Sequence, residues 1–297
     1  MSNKIKRKKK KSVTRQKLEA PVLKAPVAIV SPLGSDSTID RPKPHLPLIV
    51  GEPLSRRPCP IESEKEITTD IILVLYGERD DLDRCVASIE EHCSNYRLHI
   101  IDNNDVNLGF TIAVNQGILA GDAPYVWLLN QDAVVLKGAQ EALIERFNYH
   151  EKVGIVGSMQ RDHDDHDIIR HGGTQRAFPS GVHKGGRISM GHCRIPEKNT
   201  WINFASVMFR REMIRTIGVL DENMFLLYSD SDYCYWARYR GWEVWYEPRS
   251  QVLHRLGGAS KSISEWHVKD RVAFMSKWGI QPDGTYSDLF KRLDSIP

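Results

Sequence analysis

Ile71-Ile72-Leu73-Val74-Leu75-Tyr76-Gly77 is an uninterrupted apolar run closed by a glycine. Successive side chains of a strand point to opposite faces, so a run with no polar alternation is expected as a strand buried on both sides. Downstream, Asp80 or Asp81 is placed to cap a helix whose Leu82, Cys85, Val86 and Ile89 share one face. A second buried strand, Leu98-His99-Ile100-Ile101, ends at Asp102-Asn103-Asn104. Strand, helix and strand predict a right-handed βαβ unit and an α/β fold class.

A third unit follows in the same style. A helix is expected from about Phe110 to Leu119, then the apolar strand Tyr125-Val126-Trp127-Leu128-Leu129, then the polar Asn130-Gln131-Asp132 at its carboxyl end. Ligands of open α/β sheets bind beyond the carboxyl ends of the strands. Asp102 and Asp132 are therefore expected on one edge of one parallel sheet, where a nucleotide and its metal would lie.

Working outward, a helix from Ala139 to Tyr149 and a strand from Val153 to Gly157 precede a Gly-, His- and Asp-rich stretch, Arg161 to Lys198, that reads as loops or short hairpins. Regular pattern returns at Trp201 to Phe209, with a short helix from about Arg211 to Ile217 and another from about Ser231 to Arg240. Two short strands near Val244 and Val252 and a final helix from about Ser264 to Trp278 complete the reading.

The bulk properties exclude more than they name. With 297 residues, 41% of them hydrophobic, the chain can build one large core. Met1 to Ala20 holds nine Lys or Arg against Glu19 alone, so a formal charge of +3 conceals a remainder near −5. Residues 1–66, rich in Lys, Pro and Ser, are expected as a mostly disordered basic leader that either solubilises the chain or meets a polyanion, nucleic acid or an anionic membrane face. Five cysteines without a CxxC pair suggest neither a disulfide framework nor structural zinc. No apolar run of the roughly 18 residues needed to span a bilayer occurs and no apolar h-region follows the basic start, so a cytoplasmic location, with peripheral contact at the inner membrane face as an option, is the expectation.

Three segments carry candidate chemistry. Asp132 is a carboxylate presented after an apolar strand, where it could ligate Mg2+ or Mn2+, although an Asp there is most often a turn residue. Tyr228-Ser229-Asp230-Ser231-Asp232 places two carboxylates at a helix start; capping explains one, and the pair suggests a general base for an acceptor hydroxyl. His254, before Gly257-Gly258-Ala259-Ser260, has an imidazole able to complete a metal shell beside a loop flexible enough to close over a ligand. Trp201, Trp242 and Trp245 are either core aromatics or stacking surfaces for sugar rings.

Taken in order, the segments resemble the family 2 glycosyltransferases, within them a rhamnosyltransferase-like branch that builds surface polysaccharides. The pieces are Ile71 to Tyr76, Ile100 to Asn104, Asn107-Leu108-Gly109-Phe110 with Asn115-Gln116-Gly117-Ile118, Leu128 to Asp132, Arg210-Arg211-Glu212, Leu220-Asp221-Glu222, Phe225 to Asp232, Arg238 to Trp242, and His254 to Ser260. The resemblance implies a GT-A fold: a Rossmann-like nucleotide-binding sheet merged with a smaller acceptor-binding part over residues 67–262, followed by a helical extension over 263–297. It implies an inverting, metal-dependent enzyme with a dTDP- or UDP-sugar donor, Mn2+ or Mg2+, and a glycan or lipid-linked acceptor. Residue by residue, Asp102 resembles the acid at the nucleobase, with Tyr76, Asn103, Asn107, Gly109 and Asn130 as further donor contacts. Asp132 and His254 resemble the metal ligands, and Asp230, with Asp232 beside it, the catalytic base.

The sequence also departs from the pattern. Asn104 is followed almost at once by Asn107, where the family usually has a further helix and strand, so the nucleobase pocket is either smaller or completed by the leader. Asn130 stands at the first acidic position of the DxD-type motif, and Ser229 replaces the customary Glu beside the base. The competing readings are a noncatalytic scaffold of the same fold and a glycosyltransferase with a nucleic-acid acceptor.

Overall fold

The computed structural model describes residues 27–30, 66–176, 178, 181–187, 191–255 and 263–294. The strands are β1 (Val27–Val30), β2 (Thr69–Leu75), β3 (Tyr96–Asp102), β4 (Tyr125–Asn130), β5 (Val134–Val135), β6 (Val153–Asp162), β7 (Ile168–His171), β8 (Thr174–Arg176), β9 (Val182–His183), β10 (Gly186–Arg187), β11 (Glu197–Lys198), β12 (Ser206–Arg210) and β13 (Glu243–His254). The α-helices are α1 (Asp80–His92), α2 (Phe110–Ala120), α3 (Ala139–Phe147), α4 (Arg211–Ile217), α5 (Ser229–Tyr239), α6 (Ile263–Trp278) and α7 (Asp288–Asp294).

The main sheet runs β1-β3-β2-β4-β12-β6-β13-β11. β2 is parallel to both β3 and β4, and its apolar run is buried on both faces as expected. Ile71, Leu73 and Leu75 pack under α1 and α3, while Ile72 meets α2, and α4, α5 and the C-terminal helices extend that second layer. Beyond β4 the parallel expectation fails, because β12 runs antiparallel to both β4 and β6 and makes the sheet mixed. The two short strands expected near Val244 and Val252 are one strand, β13. Pro248 cannot donate to a ladder, and the register shift between Glu247 and Gln251 absorbs it without ending the pairing with β6. Helix α1 begins at Asp80 with Arg79 at the N-cap and no side-chain cap, so Asp80 and Asp81 act as first-turn acids instead.

One segment of the leader departs from the expectation of disorder. Val27–Val30 forms an edge strand parallel to β3, with Val30 opposite Ile101. The rest of the leader, including Lys4 to Lys11, and the Gly257 to Ser260 loop lie outside the described residues. Among the described residues no helix is long and apolar enough to cross a membrane.

At the amino edge of the sheet, Asp70 is fully buried. Its Oδ1 accepts from Arg97 Nε at 2.8 Å and pairs with His99 Nε2 at 2.9 Å, and its Oδ2 accepts from the Ala123 amide at 2.8 Å and Arg211 Nη2 at 2.7 Å. Burial opposes the charge, but these donors outweigh it and hold the carboxyl at about 2. Gly121 makes the arrangement possible, since a Cβ there would sit 2.2 Å from Asp70 Oδ2.

Candidate functional site

The carboxyl ends of β2, β3 and β4 are sewn together by side-chain amides. Gln131 Oε1 accepts from the Tyr76 amide at 2.7 Å while its Nε2 donates to the Tyr76 carbonyl at 3.1 Å, and Asn104 Oδ1 accepts from the Gly77 amide at 2.7 Å. Asn103 Oδ1 accepts from the Leu108 amide at 2.9 Å and Asn107 Oδ1 from the Gly109 amide at 2.9 Å, which shapes the turn into α2. Gly109 has φ +84, and a Cβ there would lie 2.5 Å from the Phe225 ring, so only glycine permits this approach.

A cavity of about 790 Å³ opens over these ends. Tyr76, Asn103, Asn107, Gly109, Asn130 and Asp132 line one part of it, and Asp230, His183, Trp201, Asn203, Trp266 and His267 line another. Asn130 Nδ2 and Asp132 Oδ1 approach the same imidazole nitrogen, His254 Nε2, at 3.2 and 3.3 Å. The other nitrogen, His254 Nδ1, is buried with no partner among the described residues.

This pair fits a hard divalent cation. Two ligands at right angles on an ion with bonds of about 2.1 Å stand about 3 Å apart, close to the observed separation of Asp132 Oδ1 from His254 Nε2. Among the described residues no group of three or more His, Cys, Asp or Glu could hold a metal alone, so waters or oxygens of a bound ligand would complete the shell.

Asp230 enters from the first turn of α5. Tyr228, at the N-cap, has φ 63, a left-handed conformation uncommon for a residue with a side chain, and it turns the chain so that Asp230 reaches the cavity. Burial pushes the Asp230 carboxyl up to about 6, against hydrogen bonds donated by the Ser231 amide and hydroxyl at 2.6 and 3.1 Å. A half-buried carboxylate with raised proton affinity, facing a cavity, has the properties of a general base.

A family model described as glycosyltransferase like family 2 matches residues 63–271. The chain belongs to this family. Among its family 2 relatives are the poly-β-1,6-N-acetyl-D-glucosamine synthases of Staphylococcus aureus strains COL and MSSA476, each 26% identical over 201 residues, 66% of this chain and 46% of theirs. This glycosyltransferase-like chain thus spans about half the length of the curated relatives it matches. The crystal structure of GalNAc-T7 with UDP, GalNAc and Mn2+ superposes with a TM-score of 0.57 at 15% identity, covering 73% of this chain and 49% of that one, and the shared fold is GT-A. None of these is a rhamnosyltransferase, and the narrower branch expected from the sequence gains nothing from them.

The site of this family 2 chain differs from the sequence reading at two residues. Asp232 does not line the cavity: it is buried, its Oδ2 accepts from Lys277 Nζ at 2.7 Å and its Oδ1 from Trp278 Nε1 at 2.9 Å. Two helical positions after Asp230 is about 200° around the axis, which turns Asp232 toward α6. Asp102 also stays out of the cavity wall, and its Oδ1 accepts from the Asn104 amide at 3.1 Å. Of the tryptophans, Trp201 lines the cavity, whereas Trp245 stacks edge-on with Tyr149 beside Arg146.

Several contributors escaped the sequence reading. Gln131 acts on the backbone of a residue 55 positions away, His183 comes from the stretch that lacks periodicity, and Asn203 precedes β12. Trp266 and His267 belong to the helix assigned as an extension. The repeated-amide pattern Asn-Gln-Asp after β4 is the only local signal that could have pointed to Gln131.

Proposed function

We propose that the chain transfers a hexosyl or rhamnosyl unit from a UDP- or dTDP-sugar to an acceptor hydroxyl of a glycan or lipid-linked glycan, with inversion, in polysaccharide synthesis. The observation that carries this reading is the convergence, in one cavity at the carboxyl edge of the sheet, of the Asp132–His254 pair and of Asp230. Family relatives that synthesise poly-β-1,6-N-acetyl-D-glucosamine favour a glycan product.

Asp132 and His254 would hold Mn2+ or Mg2+, which when bound neutralises the charge developing on the diphosphate leaving group. Tyr76, Asn103, Asn107, Gly109 and Asn130, which line the cavity, would form the donor wall, and Asp102, next to Asn103 in the chain, would meet the nucleobase. Arg255, beside His254 on the same lining, is the guanidinium nearest in sequence to the metal pair and is assigned to the phosphates. Asp230 accepts the proton of the acceptor hydroxyl as that oxygen bonds to the anomeric carbon and the bond to the diphosphate breaks on the opposite face. The backside approach inverts the anomeric configuration. The Lys-rich start is assigned to an anionic membrane face on the cytoplasmic side; salt-sensitive vesicle binding lost on removing Met1 to Ala20 would support that, and binding indifferent to the truncation would refute it.

Calorimetric titration of nucleotide sugars with and without Mn2+, repeated with Asp132→Ala, tests the donor site. Metal-dependent binding that the substitution abolishes is expected. Binding indifferent to both the metal and Asp132, or no binding by any nucleotide sugar, would overturn the reading.

A further inference from the structure

We propose that Asp270, on the C-terminal helix α6, is the positioning residue for the catalytic base, fixing the loop 225–228 from which Asp230 enters the cavity. The role of Asp230 rests on the transferase reading above; the part played by Asp270 stands on its own geometry.

Asp270 is 1% exposed, and its carboxylate accepts from three consecutive backbone amides: Phe225 at 2.8 Å, Leu226 at 2.8 Å and Leu227 at 2.7 Å. Three successive N–H groups can meet one anion only if the chain wraps around it. Removal of that acceptor strands partly buried donors, a cost large enough to reshape the loop. The loop has little intrinsic preference for its shape, since it ends at Tyr228 in the left-handed region, one residue before α5 begins. The shape is therefore imposed from α6, more than 40 positions away.

The neighbouring walls stand without Asp270. The Phe225 carbonyl accepts from the Phe110 amide at 2.8 Å, but the turn that carries Gly109 is held separately by Asn103 and Asn107. The far end of α6 is docked by Lys277 on Asp221 and Asp232 and by Trp278 on Asp232. Trp266, near the start of α6, lies face to face with Phe225 at 3.8 Å between ring centroids. Loss of the Asp270 carboxylate is thus expected to release the base loop while the donor wall and the helix remain in place. In this geometry helix α6 belongs to the catalytic apparatus.

The test uses the full chain with Asp270→Asn, and Asp270→Glu as a milder second variant. Calorimetry with Mn2+ and the nucleotide sugar that the unsubstituted chain binds best gives both affinity and the number of donor-competent chains. Affinity is expected to stay within about threefold, because the donor wall is independently held. Turnover per donor-competent chain, read as nucleoside diphosphate release, is expected to fall about 100-fold for Asn and about tenfold for Glu, the scale of a misplaced reacting group. A merely structural Asp270 would lower donor-competent chains and turnover together, leaving their ratio unchanged, and that result would overturn the proposal. A 13C carboxyl titration of Asp230, assigned with Asp230→Asn, supplies a readout that needs no substrate. Its midpoint is expected near the raised value of about 6 and to drop by about one pH unit in Asp270→Asn as water reaches the loosened loop. An unmoved midpoint would also overturn the proposal. If the unsubstituted chain bound no nucleotide sugar, the transferase reading would fail, and this titration would still decide the role of Asp270.

Discussion

At the amino edge of the central sheet Asp70 is enclosed by Arg97, His99, Arg211 and the Ala123 amide, whereas at the carboxyl edge Asp132, His254 and Asp230 face a cavity. The residue types are nearly the same at the two edges. What differs is how much of their bonding capacity the protein itself consumes. Four donors saturate Asp70 and depress its proton affinity to about 2, which makes it a fixed anion that ties β2, β3, α4 and the loop after α2 together. Asp230 has the Ser231 amide and hydroxyl against its burial, and its proton affinity rises to about 6. A carboxylate whose lone pairs are all taken holds structure, and one left partly uncompensated beside a cavity is available for chemistry.

The largest expected contrast comes from Asp230→Asn. Turnover per donor-bound chain should fall about 1000-fold, measured as nucleoside diphosphate release. Folding raises the proton affinity of Asp230, so its ionised form is penalised in the folded state at pH above about 6. The same substitution should therefore raise unfolding stability at pH 8 by about 1–2 kcal/mol, read from denaturant titration. A loss of stability there would break the comparison.

Asp70→Asn should do the reverse, costing about 3–5 kcal/mol of unfolding free energy because Arg97 and Arg211 keep their charges without the shared anion. Donor affinity of the folded fraction should not change. Since folding depresses the Asp70 carboxyl, its stabilisation is complete above the ordinary value of 3.8 and lost as pH falls through about 2. The gap between Asp70→Asn and the unsubstituted chain should close across that window, as followed by acid titration of near-ultraviolet circular dichroism.

A smaller effect sharpens the carboxyl edge alone. With saturating metal, kcat/KM for the acceptor should fall tenfold per pH unit below about 6 and level off above it, with the break absent from donor binding measured calorimetrically. The smallest belongs to Asp232→Asn. It should cost about 1–2 kcal/mol through the Lys277 and Trp278 contacts and leave turnover per donor-competent chain within about twofold. A large loss of turnover would return Asp232 to the site.

Asp230 and Asp232 show why the site was only partly legible. Both are acids in the first turn of one helix; helical phase sends them to different sides, but which side meets the cavity and which meets Lys277 and Trp278, more than 40 positions downstream, is not written locally. Asp132 was legible because it follows an apolar strand at the carboxyl edge of the parallel unit, whereas His254 at the end of β13 stood out only through the family resemblance, since antiparallel β12 separates its strand from that unit. Gln131 and Asp270 were not, since both act on backbone amides whose positions depend on the folded loops. Val27–Val30 falls within the leader expected to be mostly disordered, and only its pairing with β3 makes it a strand.

The sequence by itself determined the βαβ order, the buried strands and the strand-end acids, because apolar periodicity and turn residues act over a few positions. Tertiary structure alone decided the antiparallel β12, the long bulged β13, which acid faces the cavity, and the recruitment of α6 to its wall. Those outcomes turn on desolvation and on hydrogen-bond partners distant in the chain, and neither is fixed until the layers have packed.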